Sequence, residues 1–173
     1  MRSRALVAGL LVGCLLTFAA CAPQGESSSR AVTPAQPKAA EVDLPDQILG
    51  LGVVQEDISK DVAEVKSATY ISSVALFSMR EGDLLQATLQ IASLNELAKP
   101  NSEKFRKQVM GLVGGSTLEQ LKIGEENVYM SSGAQQILYA WFKGNGFNVL
   151  TVRRAYPFRR TLLRKLLVLD NLE

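Results

Sequence analysis

The chain has 173 residues, with 19 lysines and arginines, 17 aspartates and glutamates, two cysteines and no histidine. The absence of histidine excludes Ser-His-Asp and Cys-His relays and imidazole ligation of zinc or copper. The near-neutral charge gives no sign of nucleic-acid binding. Catalysis by carboxylates or lysine stays open, but no such pair stands out. The sequence therefore predicts a protein that is not an enzyme and that holds no metal or cofactor.

The amino terminus has the pattern of an export signal. Two arginines precede an uncharged stretch over residues 5–20, which is shorter than the roughly 20 residues of a spanning helix. The run Phe18-Ala19-Ala20-Cys21 resembles the lipobox of bacterial lipoproteins, although Phe18 stands where an aliphatic residue is usual. The resemblance implies a signal peptide over residues 1–20, lipidation of Cys21, and a place on the outer face of the cytoplasmic membrane or in the cell envelope. An ordinary secretory signal or an uncleaved anchor is the alternative.

Residues 21–45 are predicted to be a lipidated cysteine followed by a disordered tether. The segment is rich in Pro, Ala and Ser and contains little that a core would bury, a composition typical of linkers. Residues 46–173 then form a single globular domain, long enough to build its own core. Because Cys14 lies in the signal and Cys21 is the lipid site, this domain has no disulfide and depends on packing.

The first half of the domain is predicted to contain a helix and a hairpin. Residues 48–54 are apolar but include two glycines, and their structure is left open. Asp57 is the predicted N-cap of a short amphipathic helix. Residues 69–79 and 85–91 alternate with a period of two around a glycine-containing turn, which predicts a hairpin. A helix over residues 84–97 is the alternative, since Leu, Ala and Gln also favour helices.

The second half is predicted to contain two helices and four strands. The first helix follows a Pro-Asn-Ser run and ends at a glycine pair. Two short strands over residues 120–123 and 128–131 come next, and a hairpin over residues 137–152 turns at Asn145-Gly146. Thr161 is predicted to cap the last helix, which has leucines along one face.

These elements predict an α+β fold, in which an antiparallel sheet of about six strands has helices packed on one side. Their order, rather than any single motif, resembles that of the Mog1/PsbP-like fold, which occurs in small exported lipoproteins of actinobacteria. Proteins of that group act mostly as adaptors and assembly factors. The resemblance therefore implies such a role here, by analogy of fold.

Charged residues are segregated along the chain. Residues 41–64 contain seven acidic residues and one lysine, whereas residues 143–165 contain seven basic residues and no acidic one. The two stretches either pair with each other or are separately solvated, or the basic stretch binds an anionic partner. Arg159 and Arg160 are the candidates for such binding, because the amino terminus of the last helix favours an anion beside them.

The hairpin over residues 137–152 is apolar on both faces, and Tyr139 and Trp141 share one of them. A hairpin in a sheet of one layer is expected to have a polar outer face. Either the apolar segment 48–54 covers the face that carries Tyr139 and Trp141, or these two side chains anchor a partner or an apolar ligand.

The sequence thus predicts a membrane-anchored exported lipoprotein that acts as a non-catalytic binding or adaptor domain at the cell surface. Its expected partners are the membrane, through Cys21, and a protein or an anionic surface polymer; no nucleic acid is expected. Two alternatives are an enzyme based on carboxylates or lysine and a carrier of a lipid or other apolar ligand. The carrier would hold its ligand in a cavity between sheet and helices, lined by Trp141, Phe142, Phe105 and Leu166.

Overall fold

The structure is a computed structural model that describes residues 36–63, 70–114 and 118–169. The predicted signal peptide, Cys21 and the first part of the predicted tether lie outside the described residues. Within them the chain forms nine strands and three helices, in the order β1 (Lys38–Ala39), β2 (Gln47–Ile48), β3 (Leu51–Gln55), α1 (Ser59–Ala63), β4 (Ile71–Glu81), β5 (Leu84–Leu94), α2 (Glu103–Gly114), β6 (Glu119–Ile123), β7 (Glu126–Ser132), β8 (Gln136–Lys143), β9 (Gly146–Arg153) and α3 (Arg159–Leu167).

The nine strands of the described residues form one sheet. Eight of them lie in the order β2-β3-β4-β5-β9-β8-β7-β6, and each neighbouring pair is antiparallel. β1 runs parallel to β4, with Lys38 opposite Ser73. The predicted α+β fold with an antiparallel sheet is confirmed, but six strands were too few, since the chain before α1 adds β1, β2 and β3.

Three hairpin turns in the described residues begin with a glycine of positive φ. Gly82, Gly124 and Gly144 have φ of 56°, 63° and 53°, and each is the first residue of a two-residue loop, as a type II′ turn requires. The predicted turn at Asn145-Gly146 is wrong because Gly144 supplies the positive φ, so that Lys143 pairs with Gly146. The register is shifted by two residues, which leaves every side chain on its predicted face.

The turn between β2 and β3 differs from these three. Both of its residues, Leu49 and Gly50, have positive φ, at 54° and 77°, which is the pattern of a type I′ turn. A left-handed conformation costs a residue with a Cβ roughly 1–2 kcal/mol. Leu49 is therefore held in a strained backbone conformation.

The helix ends follow the predictions in part. Asp57 accepts a hydrogen bond of 3.0 Å from the backbone N–H of Ser59, at the start of α1, and this bond lowers the pKa of the Asp57 carboxyl. The predicted cap at Thr161 is wrong. The N-cap of α3 is Phe158, because the bond from the Leu162 N–H to the Phe158 carbonyl starts the helix before Thr161 is reached.

Helices cover both faces of the sheet. Alternate side chains of β8 belong to two separate buried clusters. The first cluster, on what we call the α3 face, combines Tyr139 and Trp141 with leucines of α3. The second, on the α2 face, combines Ala140 and Phe142 with residues of α1 and α2. The expectation that helices pack on one side is thus wrong, because strands that are apolar on both faces need cover on both.

The globular domain begins before Asp46. Within the segment predicted as tether, Pro37 and Leu44 are buried, and Ala40 donates a backbone hydrogen bond of 2.8 Å to Val74. Ile48 and Leu51 of the segment 48–54 belong to the α3-face cluster. Residues 36–45, predicted as tether, therefore pack with the domain in this structure, since the alternation of a two-residue strand is too short to be recognised in sequence.

Candidate functional site

The two ends of the sheet present different residues. At one end, the β2–β3, β4–β5 and β7–β8 turns meet the connection from β9 to α3, as the strand registers require. We call it the arginine end because it carries Arg80, Arg153, Arg154, Arg159 and Arg160. At the other end, here called the lysine end, lie the β6–β7 and β8–β9 turns, with Lys122 and Lys143 beside them.

The chain joins the domain at the lysine end. β1 is parallel to β4, and Lys38 lies opposite Ser73, close to the start of β4. Since β4 begins at the lysine end and finishes at the arginine end, Lys38 and the described residues just before it, Gln36 and Pro37, lie at the lysine end. The chain that leads back to Cys21 therefore meets the domain on the side opposite the arginines.

The arginine end has uncompensated positive charge. Its five arginines are exposed or half-buried, and none forms an ion pair with a carboxylate in the part of the chain that the structure describes. They outnumber the two carboxylates of the adjoining β4–β5 turn, Glu81 and Asp83. The expected pairing of the basic stretch with the acidic stretch 41–64 is not seen at these five arginines, and Glu64 lies outside the described residues.

Three of these arginines are held in place by backbone carbonyls. Arg159 Nη1 donates to the carbonyl oxygens of Arg154 and Tyr156, at 3.4 Å each. Arg154 Nη1 donates to Gly133 at 3.1 Å, and Arg80 Nη1 to Asp83 at 3.3 Å. Carbonyl acceptors orient the guanidinium groups without neutralising them, so the positive surface is fixed in position.

The first turn of α3 adds to this positive field. Arg159 and Arg160 occupy it, it contains no acidic residue, and Phe158 provides no side-chain cap. Cations at the amino terminus of a helix are disfavoured by about 0.3–1 kcal/mol each. The sequence prediction that placed these two arginines beside the helix amino terminus agrees with their positions.

Large apolar side chains are exposed among the arginines. Leu49 in the β2–β3 turn is 39% exposed, Leu84 at the start of β5 is 49% exposed and Phe158 is 59% exposed. The Phe158 ring packs edge-on against the ring of Tyr156, with centroids 5.9 Å apart. This contact holds the exposed ring in position. Sequence reasoning missed these residues, although Leu-Gly in a two-residue loop, where Asn-Gly is favoured, was a usable signal.

Tyr156 lies beneath this surface with its hydroxyl buried. The residue is 4% exposed, and its hydroxyl has no hydrogen-bond partner among the described residues. Burial raises the pKa of Tyr156, and the nearby Glu81 carboxylate raises it further. Glu81 itself accepts a hydrogen bond of 2.9 Å from Gln86.

Tyr139 and Trp141 lie in the core rather than on the surface. They are 2% and 0% exposed, and the cluster that buries them includes leucines of α3 together with Ile48 and Leu51. Neither side chain is therefore available to anchor a partner in this structure. Of the four candidate binding residues, only Arg159 and Arg160 reach the surface.

The proposed lining of a ligand cavity is also divided between the two faces. Trp141 and Leu166 belong to the α3-face cluster, whereas Phe105 and Phe142 belong to the α2-face cluster. All four are buried. Because the sheet separates the two pairs, they do not line a common cavity.

The described residues contain no group of three or more acidic, histidine or cysteine side chains placed to hold a metal ion. None of the helices in these residues is long and apolar enough to cross a membrane. No family model matches the sequence, and searches of the curated proteins and of the solved structures find no match either. The function is therefore argued from the geometry of the described residues.

Proposed function

We propose that this chain is an exported lipoprotein, anchored through Cys21, that binds an acidic face of a partner protein at its arginine end and catalyses no reaction. The Mog1/PsbP-like order of elements, with its implied adaptor role, is part of this proposal. The observation that carries it is the combination of five unpaired arginines with exposed Leu49, Leu84 and Phe158 on neighbouring turns.

The composition of the arginine end favours a protein over a simple polyanion. Arginine and aromatic residues are enriched in protein interfaces and supply most of their hot spots. A polyanion needs only the charge, and it gains little from Phe158 or Leu84. The strained backbone of Leu49 points the same way, since strain that the fold tolerates clusters at binding surfaces.

The position of the arginine end favours a soluble partner over the membrane. With an anchor at Cys21, the chain would reach the domain at the lysine end, so the arginine end would face away from the bilayer. The 14 residues between positions 21 and 36 span at most about 50 Å when extended. The bound partner would thus lie no farther from the membrane surface than this reach plus the length of the domain.

The anchor is tested by Cys21→Ser in the producing cells. The variant is expected to move from the detergent-extracted membrane fraction to the medium or periplasm, because stable anchoring needs the acyl chains. Cys14→Ser, within the predicted signal, is the matched control and should leave the membrane fraction unchanged. Unchanged membrane partition of Cys21→Ser would contradict the lipoprotein assignment.

The binding surface is tested by placing the photo-crosslinking amino acid p-benzoylphenylalanine at position 158 in the producing cells. Irradiation is expected to give a discrete protein adduct that weakens at least severalfold in an Arg153→Ala, Arg160→Ala background. Neither of these arginines makes a described side-chain contact, so the fold should persist. Lys104→Ala with Lys165→Ala removes the same charge elsewhere and should leave the adduct intact.

Two outcomes would reject this surface. One is a protein adduct whose yield is unchanged in the Arg153→Ala, Arg160→Ala background. The other is the same adduct from p-benzoylphenylalanine at Leu97, at the lysine end. Crosslinking to polymer or lipid instead of protein would keep the anionic partner but overturn its assignment as a protein.

A further inference from the structure

A second surface feature lies at the lysine end, away from the arginine end. A pocket of about 450 Å³ opens between the β6–β7 turn and the carboxyl-terminal half of α3. Its lining consists of Lys122, Ile123, Gly124, Arg164, Leu167 and Val168. The volume lies within the range of about 300–1,000 Å³ that is usual for small-molecule sites.

The pocket combines an apolar floor with cations. Ile123, Leu167 and Val168 supply the apolar surface, and Val168 is 71% exposed, so its side chain is open to a ligand. Arg164 and Lys122 are both exposed, and neither is paired with a carboxylate in the described residues. The neighbouring acidic residues of the turn, Glu125 and Glu126, are not part of the lining.

The end of α3 would ordinarily repel an anion, because the last carbonyls of a helix carry partial negative charge. Here Lys143 Nζ donates to the carbonyl oxygens of Leu167, at 3.5 Å, and Leu169, at 2.6 Å. This ammonium group offsets the negative end of the helix beside the pocket. Within the lining, the charged side chains are those of Arg164 and Lys122.

We propose that this pocket binds an anionic amphiphile, a single apolar chain that ends in a carboxylate or phosphate. The apolar chain would lie on Ile123, Leu167 and Val168. The guanidinium of Arg164 would take the anionic group, since its planar donors match two oxygens of a carboxylate or phosphate. A free amphiphile and a membrane phospholipid, whose phosphate adjoins its acyl chains, share this chemistry.

The proposal does not depend on a partner at the arginine end. The two surfaces lie at opposite ends of the sheet and share no residue. Loss of ligand binding through Arg164→Gln would leave crosslinking at position 158 intact, and the Arg153→Ala, Arg160→Ala pair would leave the pocket intact. The two hypotheses therefore fail independently.

The experiment is calorimetric titration of the full chain carrying Cys21→Ser, so that acyl groups on Cys21 do not compete. Dodecyl phosphate and laurate, below their micelle concentrations, are expected to bind. Dodecanol has the apolar chain without an anionic group, and inorganic phosphate has the anionic group without the chain. Each is expected to bind at least tenfold more weakly. Arg164→Gln should weaken binding of dodecyl phosphate about tenfold or more, as loss of a hydrogen bond to a charged group does.

Two exposed variants separate the pocket from general surface charge. Val168→Ser should weaken both amphiphiles and leave stability nearly unchanged, because the side chain is exposed. Lys165→Gln, one residue from Arg164 but outside the lining, should have no effect. The proposal would be overturned if the unaltered chain, Arg164→Gln and Val168→Ser bound the amphiphiles with equal affinity. It would also be overturned if the unaltered chain bound neither amphiphile.

Two further arms identify the source of the ligand. Phosphatidylglycerol vesicles that bind with the same dependence on Arg164 and Val168 assign the site to membrane lipid, whereas binding of dodecyl phosphate alone assigns it to a free amphiphile. Removal of residues 170–173 controls for the chain's own acidic carboxyl-terminal residues. Binding that requires their removal would reassign the pocket to that segment and reject the amphiphile.

Discussion

The ammonium group of Lys143 donates a hydrogen bond of 2.6 Å to the carbonyl oxygen of Leu169, which lies 26 residues farther along the chain. The bond joins the β8–β9 turn to the end of α3 and places a cation where the helix dipole favours one. Lys143 belongs to the basic stretch 143–165, for which binding of an anionic partner is one of the interpretations of the sequence. The structure instead gives it a role within the fold, at the end of the sheet opposite the arginines.

Lys143→Met is expected to lower the free energy of unfolding by about 1–2 kcal/mol, since the half-buried bonds of a charged donor to two carbonyls are lost. Urea denaturation measures the effect. Lys165→Met, an exposed lysine on α3 without a described partner, is the control and should change stability by less than about 0.5 kcal/mol. Equal effects of the two substitutions would show that the Lys143 bonds are not formed in solution.

Gln90→Met is expected to stabilise the fold. Gln90 is 2% exposed on the α2 face, between Leu76 and Val149 of the adjoining strands. Neither atom of its amide has a hydrogen-bond partner among the described residues. Such burial costs about 1–3 kcal/mol, and methionine of similar volume avoids it. Denaturation midpoints measure the gain, whereas Gln90→Ala should lose stability through its cavity.

Stability is expected to fall at alkaline pH through Tyr156. Its pKa is raised above the usual value of 10.0 by burial and by Glu81, so the folded state keeps the phenol proton at a pH where the unfolded state releases it. The stabilising contribution is complete below about pH 10 and is lost as the pH rises through the folded pKa. Unfolding free energies between about pH 8 and pH 11 measure this slope.

Tyr156→Phe removes that titrating group and is the informative comparison. The variant should show a shallower loss of stability above about pH 10, and it should be no less stable at neutral pH because the buried hydroxyl has no described partner. Glu81→Gln should have a smaller effect in the same direction. A slope that Tyr156→Phe leaves unaltered would assign the alkaline transition to other groups.

Leu49→Asn is expected to raise stability by about 0.5–1 kcal/mol, because asparagine adopts the positive φ of the first residue of a type I′ turn with less strain. The same change should weaken adduct formation from position 158 if Leu49 contacts the partner. Leu84→Asn, at an exposed position without positive φ, should reduce the adduct and give no such gain in stability. A gain in stability without loss of the adduct would remove Leu49 from the interface.

Two shortened chains test the domain boundary. A chain that begins at Gln36 should unfold cooperatively, whereas one that begins at Asp46 lacks β1 and the buried Leu44. Loss of Leu44 alone is expected to cost about 1.5–3 kcal/mol. Thermal unfolding compares the two, and equal midpoints would show that residues 36–45 contribute nothing to the fold.

The sequence predicted the long elements and missed the short ones, for physical reasons. The alternation across β4 and β5, and the spacing of apolar residues in α2, extend over enough positions to identify strand and helix. β1 and β2 have two residues each, so no period exists to detect, and their pairing depends on contacts distant in sequence. The predicted β8–β9 register was wrong because either Gly144 or Gly146 can adopt a positive φ at the turn. Cross-strand packing decides between the two.

Only the charged residues of the candidate site could be predicted from the sequence. Arg159 and Arg160 were found because their positive charge at a helix start is visible in sequence. For Tyr139 and Trp141 the sequence left burial and partner binding both open, because burial depends on what α3 and the segment 48–54 cover, which no local pattern gives. The exposure of Phe158 and the strain at Leu49 are properties of tertiary structure. The sequence alone therefore did not indicate the exposed apolar residues of the arginine end.

The parallel pairing of β1 with β4 has a mechanical consequence. A pull on the chain before Lys38, opposed by a partner held at the arginine end, acts along the strand axes. The bonds between β1 and β4, such as Ala40 to Val74, then resist in shear and break together, whereas a pull across the sheet would unzip them one by one. A domain built in this way transmits tension between its two ends with little extension.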